Sequence, residues 1–396
     1  MRGAADGRQV AVTGIGVVSV CGVGVEDFWH GLFQEAAPER IRSVPGWDPS
    51  PWFAPKDARH ADRFQQFAVA AADLAVQNAG LRLADVDPER AGVQVGTGIG
   101  GVATWEAAVL VNDSRGSGRV SPYTVPMIMP NAGAAAVSLR LGWQGPAETI
   151  TTACAAGTHS IAAGARLIAL GICDTVLAGG SDASLVGTTV AGFTNAGAMS
   201  STGISRPFDR QRDGFVAGEG AALLMLEPLD AARARGARVY AVIAGAASNA
   251  DAFHVTAPSP QGRGALRCMQ LALEDAGLSA AAVTHVNAHG TSTSLNDAAE
   301  AQAIAALTGD RRVPVTSVKG VTGHGLGAAG ALEAAAVCLG YQHRELPPTM
   351  GFAEPDEETG LVDVVTDRRP WQPGVALSNS FGFGGHNGTL VFAPAT

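Results

Sequence analysis

Four segments of this 396-residue chain concentrate side chains that can do chemistry. The first is ETITTACAAGTHSIAAG, residues 148–164. The β-branched run Thr149–Thr152 predicts a strand that breaks off at Ala153. The small residues from Ala155 to Leu170, closed by Gly171, predict a helix. Cys154 then sits at a helix N-terminus, where free N–H groups and partial positive charge stabilise a thiolate and lower the pKa below about 8.5. The same N–H groups can hold an oxyanion, and the trimmed neighbours leave room for a substrate. The bland alternative, a cysteine serving as a small buried hydrophobe, describes the other four: Cys21, Cys173, Cys268 and Cys338.

The second segment is VNAHGTSTSLNDAAE. His289 follows the strand-like THVNA, in the turn where parallel α/β sheets bind ligands. Asp297 and Glu300 read as a capping pattern for the next helix. The third is TSVKGVTGHGLGAAGALEA. Lys319 and His324 follow another strand amid glycines that permit close backbone approach. Glu333 falls inside the following helix, where an unpaired carboxylate is costly, so it meets a cation or a polar network. A lysine among so many small residues is not on an open face. The fourth is SNSFGFGGHNG, whose interleaved Phe381, Phe383 and glycines read as a gating loop or as a tight β-turn. Gly96–Gly101 matches G-x-G-x-x-G after a strand, but only Asp113, in a polar loop, is available as the acidic partner of a dinucleotide site.

The elements that must position these residues alternate. Strand-like VAVTGIG, AGVQVGTG, DTVLAGGSD, VYAVIAGA, VTHVNAHG and VPVTSVKG are interleaved with Ala-rich helical stretches, which means α/β with buried sheets. Glycine is 51 of 396 residues and charged residues are 16%, against usual values of roughly 7% and a quarter. Such a chain packs its layers closely and has a buried subunit interface. The first and third segments read as copies of one unit: strand, reactive residue, glycine three positions on (Cys154–Gly157, His324–Gly327), small-residue helix. A boundary near Ala247 gives halves of residues 1–247 and 248–396. A net charge of −9 argues against nucleic acid. No run is apolar enough to span a membrane, and Val10–Val25, with its valines and glycines, reads as a buried strand and turn instead of a signal peptide. Five scattered cysteines without C-x-x-C spacing point away from zinc or a redox motif and towards a reducing, cytoplasmic setting.

Assembled, these segments resemble the β-ketoacyl-acyl carrier protein synthases, the condensing enzymes of fatty acid and polyketide synthesis, and most resemble the chain-elongating bacterial type. The likeness runs from VAVTGIGVVSV to NSFGFGGHNGTLVF and is most specific at SRPFDRQRDGFVAGEGAALLMLE, NAHGTST and TGHGLGAAGA. It implies a thiolase-type five-layer αβαβα sandwich of two similar halves, usually dimeric, and chemistry without a metal or organic cofactor. It implies that Cys154 accepts the acyl chain, that His289 and His324 form the histidine pair, and that Lys319 supports them. The N–H groups of Cys154 and Phe383 would form the oxyanion hole. Phe383 and Ile99 fall at tunnel-gating positions, with Phe381 beside them in the Gly-rich loop. Thr256, Thr291 and Thr293 fall where the family contacts pantetheine or orders the site. Two departures, Ser294 for a frequent proline and Thr124 for the second of two frequent aromatics, bear on acyl specificity. The implied partners are acyl- and malonyl-loaded carrier protein and either a second copy or a chain-length-factor-like homologue. Lys56, Arg59 and Arg63 recur at helical spacing and, with Arg206, make a basic patch for an acidic carrier. A degradative thiolase would need a second cysteine in the C-terminal Gly loop, and a cysteine peptidase would leave Lys319 and one histidine idle. A non-catalytic chain-length partner would lack Cys154, and a non-elongating acyltransferase of the same fold is the alternative activity.

Overall fold

A computed structural model describes residues 8–395. The first half runs β1 (Val10–Ser19), α1 (Arg63–Asn78), β2 (Ala91–Gly96), α2 (Ala132–Leu141), β3 (Ala147–Glu148), α3 (Ala156–Ala169), β4 (Thr175–Asp182) and β5 (Gly220–Pro228). The second half repeats that order. It runs β6 (Ala241–Ala250), α4 (Arg263–Ala276), β7 (Val283–Asn287), α5 (Ser294–Thr308), β8 (Pro314–Thr316), α6 (Ala329–His343), β9 (Val375–Gly382) and β10 (His386–Ala393). Strand order is β3-β2-β4-β5-β1 in one half and β8-β7-β9-β10-β6 in the other. The matching pairs share the same parallel or antiparallel sense. The two sets join where Val10–Val12 pair antiparallel with Ala241–Ile243.

Five layers follow from which faces are apolar. Helices α1 and α2 bury Phe64, Phe67 and Val137 against β2 and β5. Helices α4 and α5 bury Met269, Leu273 and Ile304 against β7 and β8. Between the sheets lie α3 and α6, whose Ile161, Ile168 and Leu332 share one core with β1, β5, β6 and β10. Strands covered on both faces read as unbroken apolar runs, and β1 is buried along its whole length. The glycine content has a steric origin here. A Cβ at Gly16 would lie 1.9 Å from the carbonyl oxygen of Ala71 in α1, so the helix seats directly on the strand.

Three expectations from the sequence shift. Residue 247 falls inside β6, where Ala247 pairs with Thr389 of β10, because the polar loop after it begins only beyond Ala250. Thr149–Thr152 form no strand: β3 is an edge paired only with β2 and ends at Glu148. Lys56, Arg59 and Arg63 do not share a helix, since the turn Pro55–Ala58 ends before Arg59 and α1 starts at Arg63 behind its Asp62 cap. The glycines after Gly96 make space for protein: a Cβ at Gly101 would lie 2.2 Å from the Met127 carbonyl oxygen. Among the described residues no helix is long and apolar enough to cross a membrane.

Candidate active site

Both inner helices, α3 and α6, are entered through a short 3₁₀ turn, Ala153–Ala155 and Leu326–Ala328. The first residue of each turn takes a positive φ, +49° at Ala153 and +47° at Leu326. This geometry equates Cys154 with Gly327 and Gly157 with Gly330, so the repeat is offset by three residues from the pairing of Cys154 with His324. The two helix starts abut there: a Cβ at Gly157 would lie 2.9 Å from the Gly327 carbonyl oxygen.

Cys154 is buried, and the backbone N–H groups of Phe383 and of Cys154 itself favour its thiolate. Burial pushes the thiol up to about 11, against the pull of Lys319 and those N–H groups. The lowering expected from a helix end is therefore outweighed by desolvation. Phe383 stands in the hairpin between β9 and β10, whose Gly384 and Gly385 adopt φ of +85° and +74°. The segment forms a tight turn. The hairpin is tied to the preceding loop by Gly384 N–H donating to Val255 O (2.7 Å) and Asp251 N–H to Gly385 O (2.8 Å).

His289 leaves β7 in a turn gripped by two buried carboxylates. Glu300 accepts the N–H groups of His289 and Gly290, both at 2.8 Å. Asp297 accepts those of Thr291 (2.9 Å), Ser292 (3.0 Å) and Phe208 (2.8 Å). These residues do not cap α5 as expected; they point back and fix the histidine turn. Burial pushes the Glu300 carboxyl up to about 7. Lys319 donates to His289 O at 2.6 Å and meets Nδ1 at 3.2 Å. An ammonium only donates, so Nδ1 accepts and the imidazole proton lies on Nε2. The lysine is neutralised by Glu333, an ion pair in which both side chains are 1% exposed. Glu333 also accepts from Ser380, which bonds Thr158 at the start of α3.

His324 is held by its backbone, N–H to Val216 O at 2.7 Å and O from Gly218 N–H at 2.9 Å. Its ring lies 5.3 Å from that of His289, nearly perpendicular, and edge-on to Phe215. Burial and the Lys319 cation hold both imidazoles well below the ordinary histidine range, so both are neutral.

Cys154, His289, His324, Phe381 and Phe383 line one cavity of about 380 Å³, with Thr256, Thr291 and Thr293 also on its wall. Lys319 and Glu333 lie behind His289. Ile99 and Thr124 do not line this space: Ile99 is exposed and Thr124 is buried elsewhere. Of the basic residues, Lys56 and Arg59 are exposed. Arg63 is tied to buried Glu219 at 2.5 Å, and Arg206 bonds Gln211 and Thr202.

The sequence reading missed three residues. Asp182, at the end of β4, accepts the N–H groups of Gly98 (2.8 Å) and Gly327 (3.2 Å). His159 ties Thr152 to the carbonyl of Asn387, and Phe193 faces the Phe383 ring at 6.3 Å. A carboxylate after the glycines of GGSDAS was a signal for the first; the other two are visible only in three dimensions.

Models of the β-ketoacyl synthase N-terminal and C-terminal domains match residues 39–232 and 240–353. The chain belongs to the β-ketoacyl synthase family. This ketosynthase is 39% identical over 406 residues to 3-oxoacyl-[acyl-carrier-protein] synthase 2 of Synechocystis, covering 97% of this chain and 98% of that one. Its fold is similar to the ishigamide ketosynthase/chain length factor, with TM-score 0.91, 34% identity and coverage of 98% and 99%. It is also similar to a type II polyketide ketosynthase solved with its acyl carrier protein and bound to the hexaketide, with TM-score 0.89, 31% identity and coverage of 98% and 100%. As a member of this family the ketosynthase is an acyltransferase.

Proposed function

We propose that this ketosynthase condenses an acyl group held on Cys154 with malonyl-acyl carrier protein, releasing CO2 and giving a β-ketoacyl-carrier product. The observation that carries the reading is the convergence on one cavity of a thiol, two neutral imidazoles and the Phe383 N–H.

The reaction divides into two steps. In loading, Cys154 sulfur attacks the acyl thioester while its proton passes by way of a neutral imidazole to the departing carrier thiolate. The thiol is protonated at rest, so proton removal belongs to this step. The N–H groups of Cys154 and Phe383 hold the tetrahedral oxyanion. In condensation, malonyl decarboxylation puts negative charge on the thioester oxygen. His289 and His324, being neutral, each donate an N–H to that oxygen. Lys319 fixes the His289 tautomer that makes this possible. The carbanion attacks the acyl-cysteine carbonyl, the C–S bond breaks, and the departing Cys154 thiolate takes a proton from solvent to regenerate the thiol. Glu333 is the counter-ion of Lys319, and Thr291 and Thr293, hydrogen-bonded to each other at 2.8 Å, order the pantetheine side of the cavity with Thr256. Phe381 packs on the His289 ring at 5.9 Å.

An acidic carrier docks on Lys56 and Arg59, with Arg206 nearer the His289 loop. The protein works in the cytoplasm as a dimer, either of two copies or with a chain-length-factor-like homologue; one structural relative, from Xenorhabdus doucetiae, is a ketosynthase in complex with its chain length factor. Its halves divide before β6. Ile99 and Thr124 belong to the acyl-tunnel side.

Release of labelled CO2 from malonyl-carrier protein, without an acyl donor, tests the division of labour. Cys154→Ala keeps releasing CO2 and forms no acyl-enzyme. Replacing His289 or His324 with Ala suppresses release by about 10²-fold, the usual cost of one donor to a developing charge. A folded Cys154→Ala protein that binds carrier but releases no CO2 overturns the scheme.

A further inference from the structure

Arg42 lies outside the cavity and no step above uses it, yet it is 4% exposed. A guanidinium removed from water is costly unless its donors are used. Nη1 donates to two main-chain carbonyls, Gly320 O at 2.7 Å and Val321 O at 2.6 Å. Those carbonyls belong to the single helical turn Lys319–Thr322, which begins with the lysine behind His289 and ends two residues before His324. They are among the last carbonyls of that turn, which have no partner within it. The positive charge also meets the negative end of the turn.

The ties form a closed loop. Arg42 stands in the two-residue strand Ile41–Arg42, paired in parallel with Ala217–Gly218. Ala217 bridges to His324, and His324 is bonded on both its N–H and C=O to Val216 and Gly218. One side chain from the first half thus closes a ring of bonds: Arg42, the Lys319 turn, His324, the Ala217–Gly218 strand, and back to Arg42. The turn of Cys154 packs on the β9–β10 hairpin and on α3, and within the ring Lys319 acts on its sulfur through charge.

We infer that Arg42 is a positioning residue for malonyl decarboxylation, setting the backbone from which Lys319 and His324 project while leaving the thiol side of the site alone. The inference rests on the role proposed for the histidine pair and names what holds that pair in register. A misplacement of about 1 Å at a reacting group costs about 10²-fold in rate.

The experiment compares Arg42→Met, Arg42→Lys and His324→Ala in the full chain. CO2 release from malonyl-carrier protein gives kcat and KM, and alkylation of Cys154 by iodoacetamide at pH 9 reports the thiol side. Arg42→Met lowers kcat for release about 10²-fold, with KM and alkylation within about twofold of the parent. Arg42→Lys, whose ammonium reaches one carbonyl, loses only about tenfold, and it decides the matter alone if Arg42→Met does not fold. A normal kcat in these variants, with release lost in His324→Ala, overturns the inference alone. A parallel fall in alkylation also overturns it, because general loosening then explains the loss. Normal release in His324→Ala overturns the reading of the histidine pair and this inference with it.

Discussion

The protonation state of Cys154 decides how the first half-reaction starts, and it can be measured directly. Burial pushes the thiol up to about 11. At pH 8 the thiolate fraction is then about 10⁻³, whereas an ordinary cysteine with pKa about 8.5 is roughly a quarter ionised. Iodoacetamide reacts with the thiolate, so the logarithm of the Cys154 alkylation rate should climb by about one per pH unit from pH 7 to 10, without a plateau. Intact mass follows the reaction, with Cys154→Ala subtracting the other cysteines. The background is small, because Cys173, Cys268 and Cys338 are buried and burial pushes Cys21 up to about 12. Lys319→Met should slow alkylation at every pH in this range, since that cation favours the thiolate. A plateau with its inflection below pH 8.5 would refute the reasoning. It would mean that the helix end and the two N–H groups outweigh desolvation and that the enzyme rests as a thiolate.

Three further outcomes follow from the packing. Glu333→Ala strands a buried ammonium and should cost roughly 3–5 kcal/mol in a denaturant melt, whereas Lys319→Met with Glu333→Leu regains most of that stability without regaining CO2 release. Gly382→Ala places a Cβ 2.9 Å from Thr152 O and 3.1 Å from Cys154 N, so it pushes on the nucleophile turn. Acyl loading should fall about tenfold or more, with malonyl decarboxylation retained, as read from acyl-enzyme formation and CO2 release. Lys56→Glu with Arg59→Glu should raise the carrier KM and flatten its salt dependence, whereas Arg63→Glu, facing buried Glu219, should lower the melting temperature instead.

What could be read beforehand was local. Cys154, His289 and His324 all sit among small residues, and for His289, which follows the apolar strand Val283–Asn287, that pattern identifies a strand-end turn open to a ligand. The alternation of runs and Ala-rich stretches identified the layered α/β class. What escaped depends on the third dimension. The helix-end argument for Cys154 gave the direction of one effect, but burial, which no local pattern reports, was the larger. Asp297 and Glu300 sit at helix-start spacing, and only the fold shows their carboxylates turned towards the His289 turn. Lys56, Arg59 and Arg63 have helical spacing without a shared helix, because Asp62 caps a new one between them. Thr149–Thr152 have strand composition at a sheet edge, where a neighbour is present on one side only.

The equivalence of the two 3₁₀ turns has a consequence for how such a molecule can diversify. Gly327 occupies the second half's counterpart of the nucleophile position, yet a Cβ there would lie 2.2 Å from Gly98 N and 2.5 Å from Thr97 C. Its N–H is already committed to Asp182. The repeated fold therefore does not hold two equivalent reactive centres. One copy of the turn became the wall against which the other is built, and no side chain can be introduced at residue 327 without dismantling its twin. Attempts to install a second thiol by symmetry would fail for lack of volume, before any question of reactivity arose. The molecule has one workshop and one buttress, cast from the same mould.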